Sequence, residues 1–277
     1  MFRFLRQKRL QSGESISGDY LYLASTYSNK LLVKNIVPTK CSDIKISKII
    51  GKFLTFDDVI SQSEKILEHI PFVIKLSHWC GDAKVIRSRE DFINNITYLR
   101  EHFNSKIKSI YSGTELHYKY IIPFLFIEEY IDTDLHELKV HCIHGEPVLF
   151  NIIKNLNSGI NTSSDQSYFV MYDLNWNKLN FTRRDLNRIN TNMVFNKPTN
   201  LDKIKSICRQ LTQHIDYVRL DFFITDNEEL YFGEYTFTPA GLGHQFTNPG
   251  VEQDMLDIYT RKNTNFSVFD KYILSNQ

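Results

Sequence analysis

Residues 217–241 read YVRLDFFITDNEELYFGEYTFTPAG. Two apolar runs flank a polar turn near Thr225–Glu229, a pattern that predicts a β-hairpin. Side chains alternate between the two faces of a strand. Arg219, Asp221 and Phe223 therefore share one face, with Val218, Leu220 and Phe222 on the other. Along the second strand Tyr231, Gly233 and Tyr235 alternate against Phe232, Glu234 and Thr236. With the hairpin in register, Asp221 and Glu234 share a face. Two such carboxylates are oxygen donors of the kind Mg2+ takes alongside water and substrate phosphates. Arg219 points the same way, and a guanidinium there suits the charge that develops on a transferring phosphoryl group. The same alternation equally fits a charged surface face or a buried Arg–Asp pair.

Working outward, NLDKIKSICRQLTQHI (200–215) has the spacing of an amphipathic helix. HELKVHCIHGEPVLFNII (136–153) predicts a hairpin turning at His144–Gly145–Glu146. Between them, residues 154–182 are polar and rich in Asn and Ser, and predict a long functional or disordered loop. PFLFIEEYI (123–131) has the pattern of a buried strand ending in acids. Upstream, FVIKL and KVIRS within residues 71–88 predict a second hairpin. Helices are expected over 19–35, 56–70 and 89–104, the last with Ser88 as N-cap. Few long parallel βαβ units are visible, so the fold class is α+β with antiparallel sheets. The expected division is a helical N-terminal region over 1–60, a small lobe over 61–130 and a large lobe over 131–277.

Thirty-three basic against thirty-two acidic residues give a net charge of +1. A nucleic-acid partner usually demands a clear basic excess, so none is expected. Cys41, Cys80, Cys142 and Cys208 form no CxxC pair, which argues against zinc and for free thiols in a reducing, cytoplasmic setting. MFRFLRQKRLQSG is basic and lacks a long apolar run, so neither a secretion signal nor a membrane span is expected. It predicts a frayed start, whose Phe2, Phe4 and Leu5 could weakly touch an anionic membrane surface. Other chemistries find no motif: there is no Walker A sequence, no GxGxxG, and GESISG (13–18) lacks the spacing of a nucleophile elbow. HCIH (141–144) sends its His and Cys residues to different strand faces.

VRLDFF followed by LYFGEYTFTPAGLG resembles the C-terminal signature of the ATP-grasp superfamily: an Arg-x-Asp strand, a strand ending Glu-x-Asn, then a Pro-Gly turn. Here Thr236 stands where Asn is usual, and Ala240 separates Pro239 from Gly241. The Thr variant resembles the TupA-like ATP-grasp family of teichuronopeptide and surface-polysaccharide biosynthesis. PFVIKLSHWCG, FIEEYI, CIHGEPVLFNI and YDLNWNKL extend the likeness, in order, over roughly residues 18–260.

The resemblance implies an ATP-grasp fold, with two α+β lobes of antiparallel sheet gripping ATP. It implies ATP and Mg2+ as cofactors. Lys75 and Lys139 would reach the phosphates, the backbone of Tyr130 and Ile131 would hold adenine, and Glu128 or Glu129 would hold the ribose hydroxyls. Glu137 would face inward only with a slipped register. His78 would donate to phosphate or be a structural histidine. The usual glycine-rich phosphate loop is reduced here to Gly81. Asp221, Glu234 and Thr236 would hold the metal, Arg219 and Lys139 would balance charge in catalysis, and His244 and Gln245 would contact the acceptor. The implied activity is an ATP-dependent carboxylate–amine ligase acting through an acyl phosphate, with a uronic acid of a capsular or cell-wall polysaccharide as the carboxylate. A kinase acting on a sugar hydroxyl and a non-catalytic nucleotide-binding protein are the alternatives.

Overall fold

A computed structural model describes residues 1–9, 17–109, 115–132, 136–154, 168–184, 192–225, 227–243 and 245–274. The chain opens with three helices, α1 (Phe2–Arg9), α2 (Gly18–Ser28) and α3 (Val33–Lys40). Strands β1 (Lys45–Ile46) and β2 (Ile49–Phe53), then helices α4 (Phe56–Ser61) and α5 (Ser63–Leu67), follow. Next come β3 (Phe72–Leu76), β4 (Lys84–Ile86), α6 (Arg89–Lys108) and β5 (Leu125–Glu129). The C-terminal half holds β6 (His136–Ile143), β7 (Glu146–Lys154), β8 (Tyr168–Tyr172), α7 (Leu201–Thr212), β9 (Tyr217–Ile224), β10 (Leu230–Thr236) and α8 (Pro249–Tyr259).

Two sheets organise these elements. A four-stranded sheet runs β2-β5-β3-β4, and a six-stranded sheet runs β1-β10-β9-β6-β7-β8. All pairings are antiparallel except β1 with β10. The expected hairpins over 71–88, 136–153 and 217–241 are all present. Residues 1–60, expected to form a helical region, also supply β1 to the six-stranded sheet and β2 to the four-stranded one.

Local chemistry explains the element ends. Ser88 caps α6 by accepting from the Asp91 N–H at 3.0 Å, and Thr55 and Asp58 form a reciprocal capping box on α4. Each such cap contributes about 1 kcal/mol. Helix α7 buries Leu201, Ile204, Ile207, Cys208 and Leu211, a helical stripe that lies on the six-stranded sheet against Val218, Leu220 and Phe222. The opposite face of that sheet meets α8 through Val251, Met255 and Ile258. Small-lobe strands pack on α4, α5 and α6 through Phe56, Phe72, Phe92 and Phe103.

Several expectations need correction. The start of the chain is not frayed: Phe2 and Leu5 are fully buried. Arg9 is buried too, donating to the Phe237 carbonyl at 2.8 Å and to Asp216 at 2.6 Å. The 19–35 helix is two helices, with Asn29 turning the chain by accepting from the Leu31 and Leu32 N–H groups. The 56–70 helix divides at Gln62. The expected 154–182 loop contains β8, whose five residues are all buried. Two-sided burial leaves no polar alternation to read there.

Candidate active site

The β9–β10 hairpin carries a bulge at Gly233. Phe232 stands opposite Phe222, but Glu234 stands opposite Asp221. Unbroken alternation would have kept Glu234 on the face of Phe232. The extra residue moves Glu234 and Thr236 to the face of Asp221 and Arg219, while Phe232 and Tyr235 both enter the core. Only glycine fits at the bulge. A Cβ on Gly233 would lie 2.8 Å from the Asp221 carbonyl oxygen.

Asp221 is 5% exposed and doubly neutralised. Arg219 grips it bidentately, with Nε to Oδ1 and Nη2 to Oδ2 both at 2.6 Å, and Lys139 Nζ adds a contact to Oδ2 at 2.7 Å. Burial alone would raise the Asp221 carboxyl; the charges of Arg219 and Lys139 outweigh it and hold it below the usual range. Glu234 is likewise held down against burial, chiefly by Lys30, whose ammonium stands 3.0 Å from Oε2. Thr236 Oγ1 accepts from Arg219 Nη2 at 3.3 Å and lies 3.4 Å from Glu234 Oε1. Lys139 also pairs with Glu137 at 2.5 Å. Glu137 thus faces the site in the regular register, because residues two apart on β6 share a face, and no slip is needed.

The small lobe contributes a second charged group. Lys75 on β3 and Glu128 on β5 share a face and pair at 2.5 Å, and Lys34 reaches Glu128 from the start of α3 at 2.6 Å. Ser47 Oγ donates to the same carboxylate at 2.9 Å. Burial would raise Glu128, but its two ammonium partners prevail and bring it down to about 2. Lys75 also lies over the Phe223 ring of the large lobe, 5.9 Å from its centroid. The two groups face one cleft of about 410 Å³ between the sheets. Lys30, Lys34, Lys75, Lys139, Asp221 and Glu234 all line it.

Other expected residues divide. Glu128, Glu129, Tyr130 and Ile131 line the cleft. Glu128 is committed to its lysines, and Glu129 accepts from the Lys48 N–H at 2.9 Å. The Tyr130 N–H donates to the Pro71 carbonyl at 3.4 Å. His78 is not at the cleft: it is 2% exposed, and its Nε2 lies 3.3 Å from the Lys106 carbonyl. Its neighbours Trp79, Gly81, Asp82 and Ala83 form the cleft wall instead, with Asp82 held by an ion pair to Lys106 at 2.6 Å and a hydrogen-bond contact with His102 Nε2 at 2.8 Å. Gln245 is exposed and does not line the cleft. His244 lies outside the described residues. Arg219 is half-buried, holds Asp221 and does not line the open space. Lys30 and Lys34 were missed by sequence reasoning. Lys30 lies in the turn between α2 and α3 and Lys34 in the first turn of α3, so no helical spacing links them in the sequence.

Mg2+ fits this donor set. Asp221 and Glu234 remain anionic, Thr236 adds a hydroxyl, and all are hard oxygen ligands. Among the described residues no cluster of three or more His, Cys, Asp or Glu side chains is placed to hold a metal by itself, so substrate phosphates and water would complete the sphere. No helix among them is long and apolar enough to cross a membrane.

Two α+β lobes that close over a cleft lined with lysines and an acidic pair define the ATP-grasp fold. The model described as TupA-like ATPgrasp matches residues 18–257, and the chain belongs to that family. Among solved structures, an L-amino acid ligase from Bacillus licheniformis aligns with a TM-score of 0.50 at 11% identity, covering 79% of this chain and 44% of that one. A D-alanine–D-alanine ligase from Bacillus anthracis aligns at 0.46 and 12% identity, covering 85% and 64%. An ADP complex of purK, an N5-carboxyaminoimidazole ribonucleotide synthetase, aligns at 0.47 and 13%, covering 77% and 45%. This chain thus spans under two thirds of the length of each. No curated protein matches it.

Proposed function

We propose that this chain is an ATP-dependent carboxylate–amine ligase. The observation that carries the reading is the pairing of Asp221 with Glu234 across the Gly233 bulge, ringed by Lys30, Lys139 and Arg219. Such an arrangement concentrates cations where a phosphoryl group would transfer while keeping two anionic oxygen donors for a divalent metal.

In this reading Lys75 from the small lobe and Lys34 from α3 bind the nucleotide phosphates, and Lys139 binds them from the large lobe. Glu128 keeps Lys75 and Lys34 at a fixed separation when ATP is away. Asp221, Glu234 and Thr236 would hold Mg2+, which supplies charge neutralisation at the phosphates. Arg219 holds Asp221 in place and balances the acyl phosphate. A carboxylate oxygen of the acceptor attacks the terminal phosphorus and ADP leaves. An amine nitrogen then attacks the acyl carbon, phosphate leaves, and the amine proton departs with it. No enzyme nucleophile is required. The lobes contribute by orientation and electrostatics.

The proposed acceptor is a uronic acid in surface-polysaccharide biosynthesis, and the proposed donor an amino acid or other amine. Family likeness supports this finer assignment. The test is ADP and phosphate release from Mg-ATP, with pooled amino acids and pooled uronic acids or nucleotide-linked uronic acids. Free phosphate formed only with both pools, and lost in Glu234→Gln, is the expected result. ADP formed without free phosphate would replace the ligase reading with a kinase.

A further inference from the structure

Burial of Phe2, Leu5 and Arg9 fixes how α1 sits on the large lobe. Those residues recur at the three- and four-residue spacing of one helix face. The opposite face carries Arg3, Arg6, Gln7 and Lys8, all exposed, and no acid. The cations of this helix thus look outward while its large apolar residues are spent in the core.

Phe4 is half-buried on the flank of the exposed face and joins it to α8. Its ring meets Tyr259 edge-on with centroids 5.9 Å apart, and Lys8 Nζ lies 5.0 Å from the Phe4 centroid. Tyr259 in turn stacks on His144 at 5.5 Å. Two and three residues beyond Tyr259 come Arg261 and Lys262, both exposed. Among the described residues, Arg3, Arg6, Lys8, Arg261 and Lys262 form no ion pair. The acids beside them have other partners. Asp216 takes Arg9 and the Tyr259 hydroxyl, each at 2.6 Å. Asp257 accepts from Gln253 at 2.8 Å, and Glu252 from the Phe246 N–H at 3.3 Å. A chain whose net charge is only +1 therefore gathers unpaired cations around two half-buried rings. Like charges so gathered repel one another, and an anionic surface offsets that repulsion.

The rings select the kind of anion. An aromatic ring beside cations seats well at the headgroup level of a bilayer, where one edge stays wet and the ammonium meets lipid phosphate. A nucleic-acid partner suits a chain of balanced charge less well. We propose that the outward face of α1, with Phe4, Tyr259, Arg261 and Lys262, docks this protein on an anionic phospholipid membrane. The contact is peripheral, because the apolar side of α1 is already buried and nothing remains there to insert deeply. Each cation near a charged bilayer strengthens partitioning about fivefold, and salt screens the attraction. This docking is independent of the ligase reading.

The experiment is cosedimentation of the full chain with vesicles of phosphatidylcholine alone, or with about a third phosphatidylglycerol, at about 50 mM and about 500 mM salt. Wild type should pellet with the anionic vesicles at low salt, stay in solution with the neutral ones, and be released at high salt. Arg3→Glu combined with Lys8→Glu should weaken binding to the anionic vesicles at least roughly tenfold, and Lys262→Glu alone about fivefold. Lys65→Glu combined with Lys203→Glu makes the same change in net charge at exposed positions of α5 and α7 and should bind as wild type does. All these side chains are exposed, so each variant should melt close to wild type. Wild type that fails to pellet with anionic vesicles, or pellets equally with neutral ones, would overturn the proposal. So would an equal loss in the Lys65 and Lys203 control, or tighter binding to a DNA duplex than to the vesicles at the same salt.

Discussion

Asp221 and Glu234 face each other across the β9–β10 ladder, yet their surroundings differ sharply. Asp221 is buried and gripped by Arg219 and Lys139, whereas Glu234 is about a third exposed and pairs with Lys30. The same mutation therefore has different consequences at the two positions. Asp221→Asn leaves the buried Lys139 and the half-buried Arg219 undercompensated and should cost roughly 3–5 kcal/mol of stability. Glu234→Gln should leave the melting temperature nearly unchanged and abolish turnover. Denaturant unfolding beside the release assay checks both; a fully active Glu234→Gln would remove that residue from the metal site.

Gly233→Ala tests the bulge. The new methyl meets the Asp221 carbonyl oxygen at 2.8 Å, so β10 must shift away from β9. The expected loss is roughly 1–3 kcal/mol, from overpacking at a well-ordered site. Magnesium affinity should fall with it, since Glu234 moves with the strand. Calorimetric titration of Mg2+ in the presence of ADP reads the second effect, and an unchanged affinity would show that the bulge does not position Glu234.

Glu128 should produce an acid-sensitive component of stability. An unfolded chain protonates this carboxyl near its ordinary value of 4.5, the folded one only near about 2. Between those values the unfolded state binds more protons, so falling pH favours unfolding. The contribution is complete above pH 4.5 and drains away toward pH 2, on the order of 3 kcal/mol in total. Unfolding free energies measured across that window should lose this slope in Glu128→Gln.

Lys75→Met should weaken ATP binding by roughly tenfold, the effect of losing one charge-assisted contact to phosphate. Equilibrium binding of a fluorescent ATP analogue would show it. An affinity equal to wild type would confine Lys75 to a structural pair with Glu128.

Thr236→Asn should hold or raise Mg2+ affinity. The Thr236 hydroxyl already sits between Arg219 and Glu234, at 3.3 Å and 3.4 Å, and the longer amide oxygen reaches further in the same direction. A severe loss of affinity would place the metal away from position 236.

Much of this arrangement was readable from the chain alone. Alternation in VRLDFFI, the polar turn after it, and the order of the flanking motifs determined the hairpin, the α+β class and the family. They also singled out Asp221, Glu234, Arg219, Lys75 and Lys139. These signals are local, because strand periodicity, turn chemistry and capping residues act over a few positions.

What alternation could not supply was the consequence of one extra residue. The bulge at Gly233, set by the close approach of two backbones, decides that Glu234 rather than Gly233 opposes Asp221. Tertiary structure alone brought Lys30 to Glu234 and Lys34 to Glu128, across about two hundred and about ninety residues of sequence respectively. It also took His78 out of the cleft. Pairings of that kind depend on how two sheets and three N-terminal helices meet. Their energy is electrostatic and steric between distant segments, and it leaves no periodic trace in the sequence.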